Sequence, residues 1–281
     1  MTDSTASASP TDSAAPTSPS ALPALTATTL SVGSGDRVLV VLPSLGTAVE
    51  PLWRAAAQGL PDTWTVVGVD LPGNGRSAPV APTGPATTAI AALADAVLTA
   101  VRAALLGTEA FTVAGDSVGG TIALQLALDH PETVQAAAVF CTGAKIGAAD
   151  ACTDRAAHVE TAGAESMVEG SKQRWFDPGF LDSLPDISAE LLDSLAAADA
   201  RSYAAVCRAL AAFDVRDRLA EISTPVLAVA GEHDEVTTAA SLEEISSGIT
   251  AGQLVVVDDA GHLVPAEAPA ATAGLLTSFL G

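Results

Sequence analysis

A serine at the centre of a glycine-flanked pentapeptide is the strongest chemical signal in this sequence. Residues 115–119 read Gly-Asp-Ser-Val-Gly, which is the G-x-S-x-G pattern of a nucleophilic serine. The apolar run 111–114 precedes the motif and a helical segment, 121–128, follows it, so we expect a strand, a sharp turn and a helix. Small residues on both sides of Ser117 let the strand and helix pass closely, and a helix N-terminus favours the negative charge of an attacked carbonyl oxygen. The pattern predicts Ser117 as the nucleophile of an acyl-transfer reaction.

A nucleophilic serine needs a histidine base and an acid that fixes the histidine tautomer. The run 225–230 ends in Gly-Glu-His-Asp-Glu, and the run 254–257 ends in Asp-Asp-Ala-Gly-His. Both segments follow strand-like runs late in the chain, in the order serine, acid, histidine. We therefore predict Asp234 as the acid and His262 as the base.

Other residues could compete for these two roles. Glu232 and Glu235 flank Asp234 and are alternatives for the acid. His130 precedes a proline at the predicted end of the nucleophile helix, where a capping role is natural. His158 is expected to be solvated, and His233 is expected to be an exposed turn residue.

Two backbone amides are predicted to stabilise the oxyanion. One is the amide of Val118, the residue after the nucleophile, and the other comes from the loop 43–47, which follows the first apolar run. We select the Leu45 amide in that loop. The glycine-rich turn 70–77 is interpreted as structural rather than phosphate-binding.

The elements that must position these residues alternate along the chain. Short apolar runs are typical of buried parallel strands and are separated by helical segments at 49–60, 87–106, 117–128, 219–222, 239–247 and 266–280. The strand-like runs are 38–42, 65–69, 111–114, 134–140, 225–230 and 254–257. This alternation predicts an α/β fold with a mostly parallel, doubly wound sheet. Little that is strand-like precedes Val38, so the first edge of the sheet is predicted to be shortened.

The alternation stops over residues 143–213, where apolar residues recur at spacings of three and four. This spacing predicts a helical cap inserted into a core formed by residues 24–142 and 214–281. Open α/β sheets bind ligands at the carboxyl ends of their strands, so the cap is expected to cover the site.

Composition narrows the possible partners. The chain has 281 residues and a formal charge of −21, which disfavours nucleic acid and anionic membranes as partners. Three cysteines without paired spacing indicate neither a disulfide framework nor a zinc site, and they favour a reduced cytoplasmic location. Cys141 is expected to be a small buried residue, and no apolar stretch is long enough for a membrane span. Residues 1–23 have the Ser, Thr, Ala and Pro content of a disordered tail rather than of a signal peptide.

With these residues in place, the chain resembles the α/β-hydrolase superfamily from about Leu30 to Gly281. Within that superfamily it is similar to the 3-oxoadipate enol-lactonases, through segments of the oxyanion loop and of the cap at 44–47, 142–147, 174–176, 203–210 and 214–218. The resemblance implies an ester hydrolase without a cofactor or metal. It also implies a small anionic substrate, a five-membered enol-lactone with an acetate side chain that opens to 3-oxoadipate. Pro43, Ser44 and Val118 depart from residues that are common in the superfamily.

An anionic substrate needs a positive contact in an acidic protein. Eight of the 12 basic residues lie in or beside the predicted cap: Lys145, Arg155, Lys172, Arg174, Arg201, Arg208, Arg216 and Arg218. The alternative is that they form surface ion pairs. Arg174, beside Trp175, is our preferred carboxylate contact, because guanidinium binds carboxylate bidentately.

Other functions stay open from the sequence. A carboxylesterase, a perhydrolase and a carbon–carbon hydrolase of aromatic meta-cleavage share the same predicted triad. A ligand receptor without catalytic activity is a further alternative. Dehalogenases and epoxide hydrolases are disfavoured because they have Asp where this chain has Ser117.

Overall fold

The computed structural model describes residues 22–83, 88–105 and 109–281. The predicted disordered tail lies outside the described residues, except for Leu22 and Pro23 at its end. Among the described residues, none of the helices combines the length and the apolar character that a membrane crossing requires.

Among the described residues, seven strands form one sheet in the order β1-β3-β2-β4-β5-β6-β7. The strand β1 is antiparallel to its neighbour, and the other pairs are parallel. The strands are β1 (Ala27–Ser31), β2 (Arg37–Leu42), β3 (Trp64–Val69), β4 (Phe111–Asp116), β5 (Val134–Phe140), β6 (Val226–Gly231) and β7 (Gly252–Val257). The predicted α/β fold with a mostly parallel sheet is confirmed.

The two edges of the sheet differ from the sequence prediction. The expectation that little precedes Val38 is wrong, because β1 pairs with β3. Its sequence, Ala-Thr-Thr-Leu-Ser, lacks an apolar run because an edge strand is only partly buried. The strand β7 forms the other edge. It was predicted to be buried, but Leu254 and Val256 are exposed by 37% and 43%.

In the described part of the chain, six α-helices pack around this sheet and five more lie between β5 and β6. The first group comprises α1 (Val49–Gln58), α2 (Ile90–Ala104), α3 (Val118–Asp129), α9 (Ala239–Gly248), α10 (Val264–Glu267) and α11 (Pro269–Leu280). The second group comprises α4 (Ala149–Ala162), α5 (Val168–Trp175), α6 (Phe180–Ser183), α7 (Pro185–Ala197) and α8 (Ala200–Ala212). The second group, here called the cap, falls within the predicted interval 143–213, although the exact domain boundaries stay a prediction.

Two helices differ in detail from the expected ones. The segment predicted as a helix at 219–222 is a 3-10 helix over Arg216–Glu221. The predicted continuous helix 266–280 is two helices that meet at Pro269. A proline lacks the N–H that a helix needs in its interior, so the second helix begins there.

The close approach of β4 and α3 depends on a glycine. A Cβ atom built on Gly115 would overlap the backbone of Gly119, at the carbonyl carbon and oxygen. We expect Gly115→Ala to lower the free energy of unfolding by about 3 kcal/mol or more, because the clash is with backbone atoms that cannot move aside. Urea unfolding followed by circular dichroism measures this change.

Gly274→Ala is the matched control for that measurement. Gly274 lies inside α11, and a Cβ atom there meets nothing within 4 Å. Alanine should therefore leave stability unchanged or raise it by about 0.5–1 kcal/mol. Equal stability of the Gly115→Ala and Gly274→Ala variants would contradict the proposed close packing.

Candidate active site

Ser117 occupies a strained turn between β4 and α3. Its backbone angles are φ 54° and ψ −115°, a region that L-residues rarely adopt and that costs about 1–3 kcal/mol. The surrounding chain fixes this conformation: the Ser117 N–H donates to the Phe140 carbonyl at 2.9 Å. The Ser117 carbonyl accepts from the Thr142 hydroxyl at 2.7 Å. The hydroxyl of Ser117 is thereby presented at the carboxyl end of the sheet.

The three residues predicted as a triad lie in hydrogen-bond contact. The Nε2 atom of His262 lies 3.0 Å from the Ser117 Oγ atom, and its Nδ1 atom lies 2.9 Å from Asp234 Oδ2. The side chains of His262 and Asp234 are exposed by only 2% and 0%. The geometry suits proton transfer from Ser117 to His262, with the histidine oriented by the acid.

The carboxylate of Asp234 is itself held by four donors. Its Oδ1 atom accepts from the backbone N–H groups of Val236 and Thr237 at 2.7 and 3.0 Å. Its Oδ2 atom accepts from the Thr237 hydroxyl at 2.7 Å as well as facing His262. Burial alone would raise the pKa of Asp234, but His262 and the Thr237 hydrogen bonds outweigh it and hold that pKa below its usual value. The carboxyl group is therefore anionic at neutral pH.

The competing carboxylates and histidines lie elsewhere. Glu232 accepts from the Asp259 N–H at 3.2 Å, and Glu235 is exposed, so neither contacts His262. His130 ends α3 as the C-cap residue, but its ring contacts Asp95 at 3.0 Å. His158 is exposed, as expected.

His233 is more than an exposed turn residue. Its ring pairs with Asp177, which follows the cap helix α5. The hydrogen bond to Asp177 raises the pKa of His233. The loop that carries Asp234 is therefore in contact with the cap.

The two amides predicted to stabilise an oxyanion lack a backbone acceptor among the described residues. Val118 is the first residue of α3, so its N–H has no intrahelical acceptor. The Leu45 N–H donates no backbone hydrogen bond within the described part of the chain. The neighbouring Gly119 N–H donates to the Pro43 carbonyl at 3.1 Å, which ties the two loops together.

The space above Ser117 is closed by the cap. Its wall contains the predicted contacts Arg174 and Trp175, and it also contains Arg155 and Tyr203, which were not predicted as substrate contacts. The full lining is Ser44, Leu45, Ser117, Ile146, Arg155, Met167, Ser171, Arg174, Trp175, Tyr203, Leu210, Val236 and His262. A signal for Arg155 exists in α4, where the buried positions Cys152, Ala156 and Val159 place Arg155 at the edge of the inner face.

Two further titratable groups lie buried beside the triad. Asp116 is fully buried, and no described residue meets hydrogen-bond geometry at its carboxyl oxygens, although the Ser44 side chain lies close to them. Burial raises the pKa of Asp116 well above its usual value. The Cys141 thiol lies within 4.8 Å of donor atoms of Asp234 and His262. Burial also raises the pKa of Cys141, which keeps it a thiol rather than the thiolate that binds metals.

Comparison with known proteins decides the family. Residues 37–269 match the family described as the alpha/beta hydrolase fold. The chain belongs to this family. It is 36% identical over 242 residues to 3-oxoadipate enol-lactonase 2 of Acinetobacter baylyi, covering 85% of this chain and 87% of the relative. It is 33% identical to 3-oxoadipate enol-lactonase 1 of the same organism, over 84% of this chain and 86% of the relative.

A solved structure agrees with these α/β-hydrolase relatives. The enol-lactonase from Burkholderia xenovorans superimposes with a TM-score of 0.83 and 28% identity. The match covers 91% of this chain and 96% of that structure. The resemblance stated from the sequence is confirmed at the level of the family and of its enol-lactonase members.

Proposed function

We propose that this α/β-hydrolase is a serine hydrolase that opens an anionic enol-lactone, with 3-oxoadipate enol-lactone as its substrate. Support comes from the contacts among Ser117, His262 and Asp234, and from the names of its most similar relatives. The proposal includes no metal or cofactor. A cytoplasmic location and the absence of nucleic-acid or membrane partners stay predictions.

The proposed reaction has two stages. In the first, Ser117 Oγ attacks the lactone carbonyl carbon while His262 Nε2 takes its proton, and the Leu45 and Val118 amides stabilise the oxyanion. The ring C–O bond then breaks, the enolate oxygen takes the proton from His262, and an acyl-enzyme forms. In the second stage His262 removes a proton from water, which attacks the ester carbon; the bond to Ser117 Oγ then breaks, and Ser117 Oγ takes that proton back from His262. The enol product tautomerises to the ketone.

Two cap arginines carry the proposal for an anionic substrate. Four of the eight basic side chains in and beside the cap form ion pairs, namely Lys145–Asp214, Arg208–Glu160, Arg216–Asp214 and Arg218–Glu221. Arg155 and Arg174 line the pocket beside Ser117, yet within the described residues neither forms an ion pair with a carboxylate. Unneutralised cations in a pocket of a chain with a charge of −21 favour a ligand that brings its own negative charge.

The two arginines differ in how they are held. The Arg174 Nε–H donates to the Gly170 carbonyl at 2.9 Å, which leaves its terminal nitrogens for a ligand. Arg155 lies beside the hydroxyl of Tyr203, whose pKa burial raises well above its usual value, so this hydroxyl stays neutral. We propose that Arg174 binds the substrate carboxylate and that Arg155 contributes to the same positive region.

Replacing either arginine tests the substrate class. We expect Arg174→Gln and Arg155→Gln each to raise KM for the anionic lactone by about 10- to 100-fold, the value of a charge-assisted hydrogen bond. KM for a neutral short-chain ester should change little in both variants. Initial-rate kinetics with the two substrates measure the difference.

Lys172→Gln is the matched control, since Lys172 is an exposed cation of the same helix and does not line the pocket. Its KM for the lactone should equal that of the unmodified protein. An unchanged lactone KM in both arginine variants would show that neither arginine binds the substrate carboxylate.

The decisive experiment is a direct assay of the lactone. We expect purified protein to accelerate the loss of enol-lactone absorbance and to release 3-oxoadipate. Hydrolysis of a neutral ester without hydrolysis of the lactone would instead indicate a carboxylesterase. Activity on neither substrate would favour a carbon–carbon hydrolase, a perhydrolase or a ligand receptor.

A further inference from the structure

The carboxyl group of Glu267 accepts hydrogen bonds from the backbone on both sides of His262. Its Oε1 atom accepts from the Leu263 N–H at 2.9 Å, and its Oε2 atom accepts from the Gly261 N–H at 3.1 Å. These are the residues directly before and after His262. The carboxyl group therefore restricts the peptide units that set where the imidazole ring points.

The same carboxyl group also binds the cap. Its Oε2 atom accepts from the backbone N–H of Asp177 at 2.6 Å. Two residues earlier, the Trp175 carbonyl accepts from the His262 N–H at 2.8 Å. The cap segment 175–177 and the loop that carries the base are thus joined by two hydrogen bonds, one of them through Glu267.

A glycine permits this close approach. A Cβ atom on Gly261 would lie 2.8 Å from the Asp177 nitrogen and from the Trp175 carbonyl oxygen. The cap segment thus packs directly on the backbone of the loop. The arrangement fixes His262 relative to Arg174 and Trp175, which line the pocket.

The free-energy cost of partly burying the Glu267 carboxylate must be offset by hydrogen bonds. Burial raises the pKa of Glu267, while the three backbone N–H donors oppose that rise. Unlike an exposed surface glutamate, Glu267 directs its oxygens at backbone donors of two separate parts of the chain. A carboxyl group that accepts three backbone N–H donors can hold the loop in one conformation.

We propose that Glu267 is a positioning residue that sets the orientation of His262 and aligns the cap with it. This inference rests on the proposed function only in assigning His262 as the base. It does not depend on which ester or lactone is hydrolysed.

Glu267→Gln tests the inference with the smallest change in shape. An amide has one acceptor oxygen, so its NH2 group must face a backbone N–H donor in either orientation. We expect kcat for both the lactone and a neutral short-chain ester to fall by about 10- to 100-fold, the effect of a small misplacement of a catalytic group. KM for the neutral ester should stay unchanged.

Glu235→Gln is the matched control, because Glu235 is an exposed carboxylate in the loop of the triad acid. Its kcat values should equal those of the unmodified protein. Circular dichroism and thermal unfolding show whether each variant is folded under assay conditions.

The outcomes separate the alternatives. A folded Glu267→Gln variant with kcat changed by less than about threefold would overturn the inference. A rise in lactone KM alone would also overturn it, since that result assigns Glu267 to the cap and not to the base. If the unmodified protein hydrolyses the ester but not the lactone, the substrate proposal fails while the ester data still test Glu267.

A second variant covers the case in which glutamine prevents folding. Glu267→Asp keeps the charge but is one methylene shorter, so it cannot reach all three donors. A folded aspartate variant with a reduced kcat for the neutral ester supports the inference. Failure of both variants to fold would overturn it, because Glu267 would then serve stability alone.

Discussion

Ser117→Ala is expected to abolish hydrolysis, with kcat for the lactone lowered by about 10⁵- to 10⁶-fold. The variant lacks the oxygen that lies 3.0 Å from His262 Nε2, so no acyl-enzyme forms. What remains is the small acceleration that substrate binding and the oxyanion amides provide. Single-turnover kinetics at enzyme concentrations above that of the substrate measure the residual rate.

Ser171→Ala is the control for that result. Ser171 is a buried serine that lines the same pocket, and no hydrogen bond joins its side chain to another described residue. Its removal should change kcat by less than about threefold, within the range of a minor packing change. Hydrolysis that survives at a comparable rate in Ser117→Ala would contradict the proposed nucleophile.

Asp234→Asn is expected to lower kcat by about 10⁴-fold while leaving the fold intact. Two backbone N–H groups fix the position of Oδ1, so the amide oxygen must take that place. The amide NH2 group then occupies the Oδ2 position and donates towards His262 Nδ1. This forces the tautomer with the proton on Nε2, which cannot accept the proton of Ser117.

Steady-state kinetics with the lactone, together with thermal unfolding, check this prediction. Glu232→Gln is the control. The sequence allowed Glu232 as an alternative acid, but in the structure its carboxylate accepts from the Asp259 N–H rather than facing His262. A large loss of kcat in Glu232→Gln and a small one in Asp234→Asn would reverse the assignment of the acid.

The contact among the three predicted triad residues could be anticipated because each lies in the turn or loop after a strand. Ser117, Asp234 and His262 come after β4, β6 and β7, and the carboxyl ends of parallel strands meet at one edge of the sheet. The order of the strands along the chain and one short motif were therefore sufficient to predict that these residues lie together. The central strands could be predicted for a similar reason, since burial on both faces produces continuous apolar runs.

The remaining parts of the site depend on tertiary packing. Arg155 lies at the edge of the inner face of its helix, and only the packing of the cap on the sheet brings it to the pocket. The contact between Glu267 and Asp177 joins residues 90 positions apart, and neither residue has a distinctive local sequence. The strand β1 was missed because a half-exposed edge strand lacks an apolar run.

The separation along the chain between the proposed nucleophile and the proposed base has a consequence for when activity can arise. Ser117 and His262 are separated by 145 residues, and the cap, β6 and β7 lie between them. At about 5–20 residues per second, a ribosome needs roughly 7 to 30 s to synthesise that interval. Throughout that interval the nascent chain contains the proposed nucleophile but not its proposed base. Under the proposed mechanism, hydrolytic activity requires that the C-terminal part of the chain has docked, and not merely that the turn at Ser117 has folded.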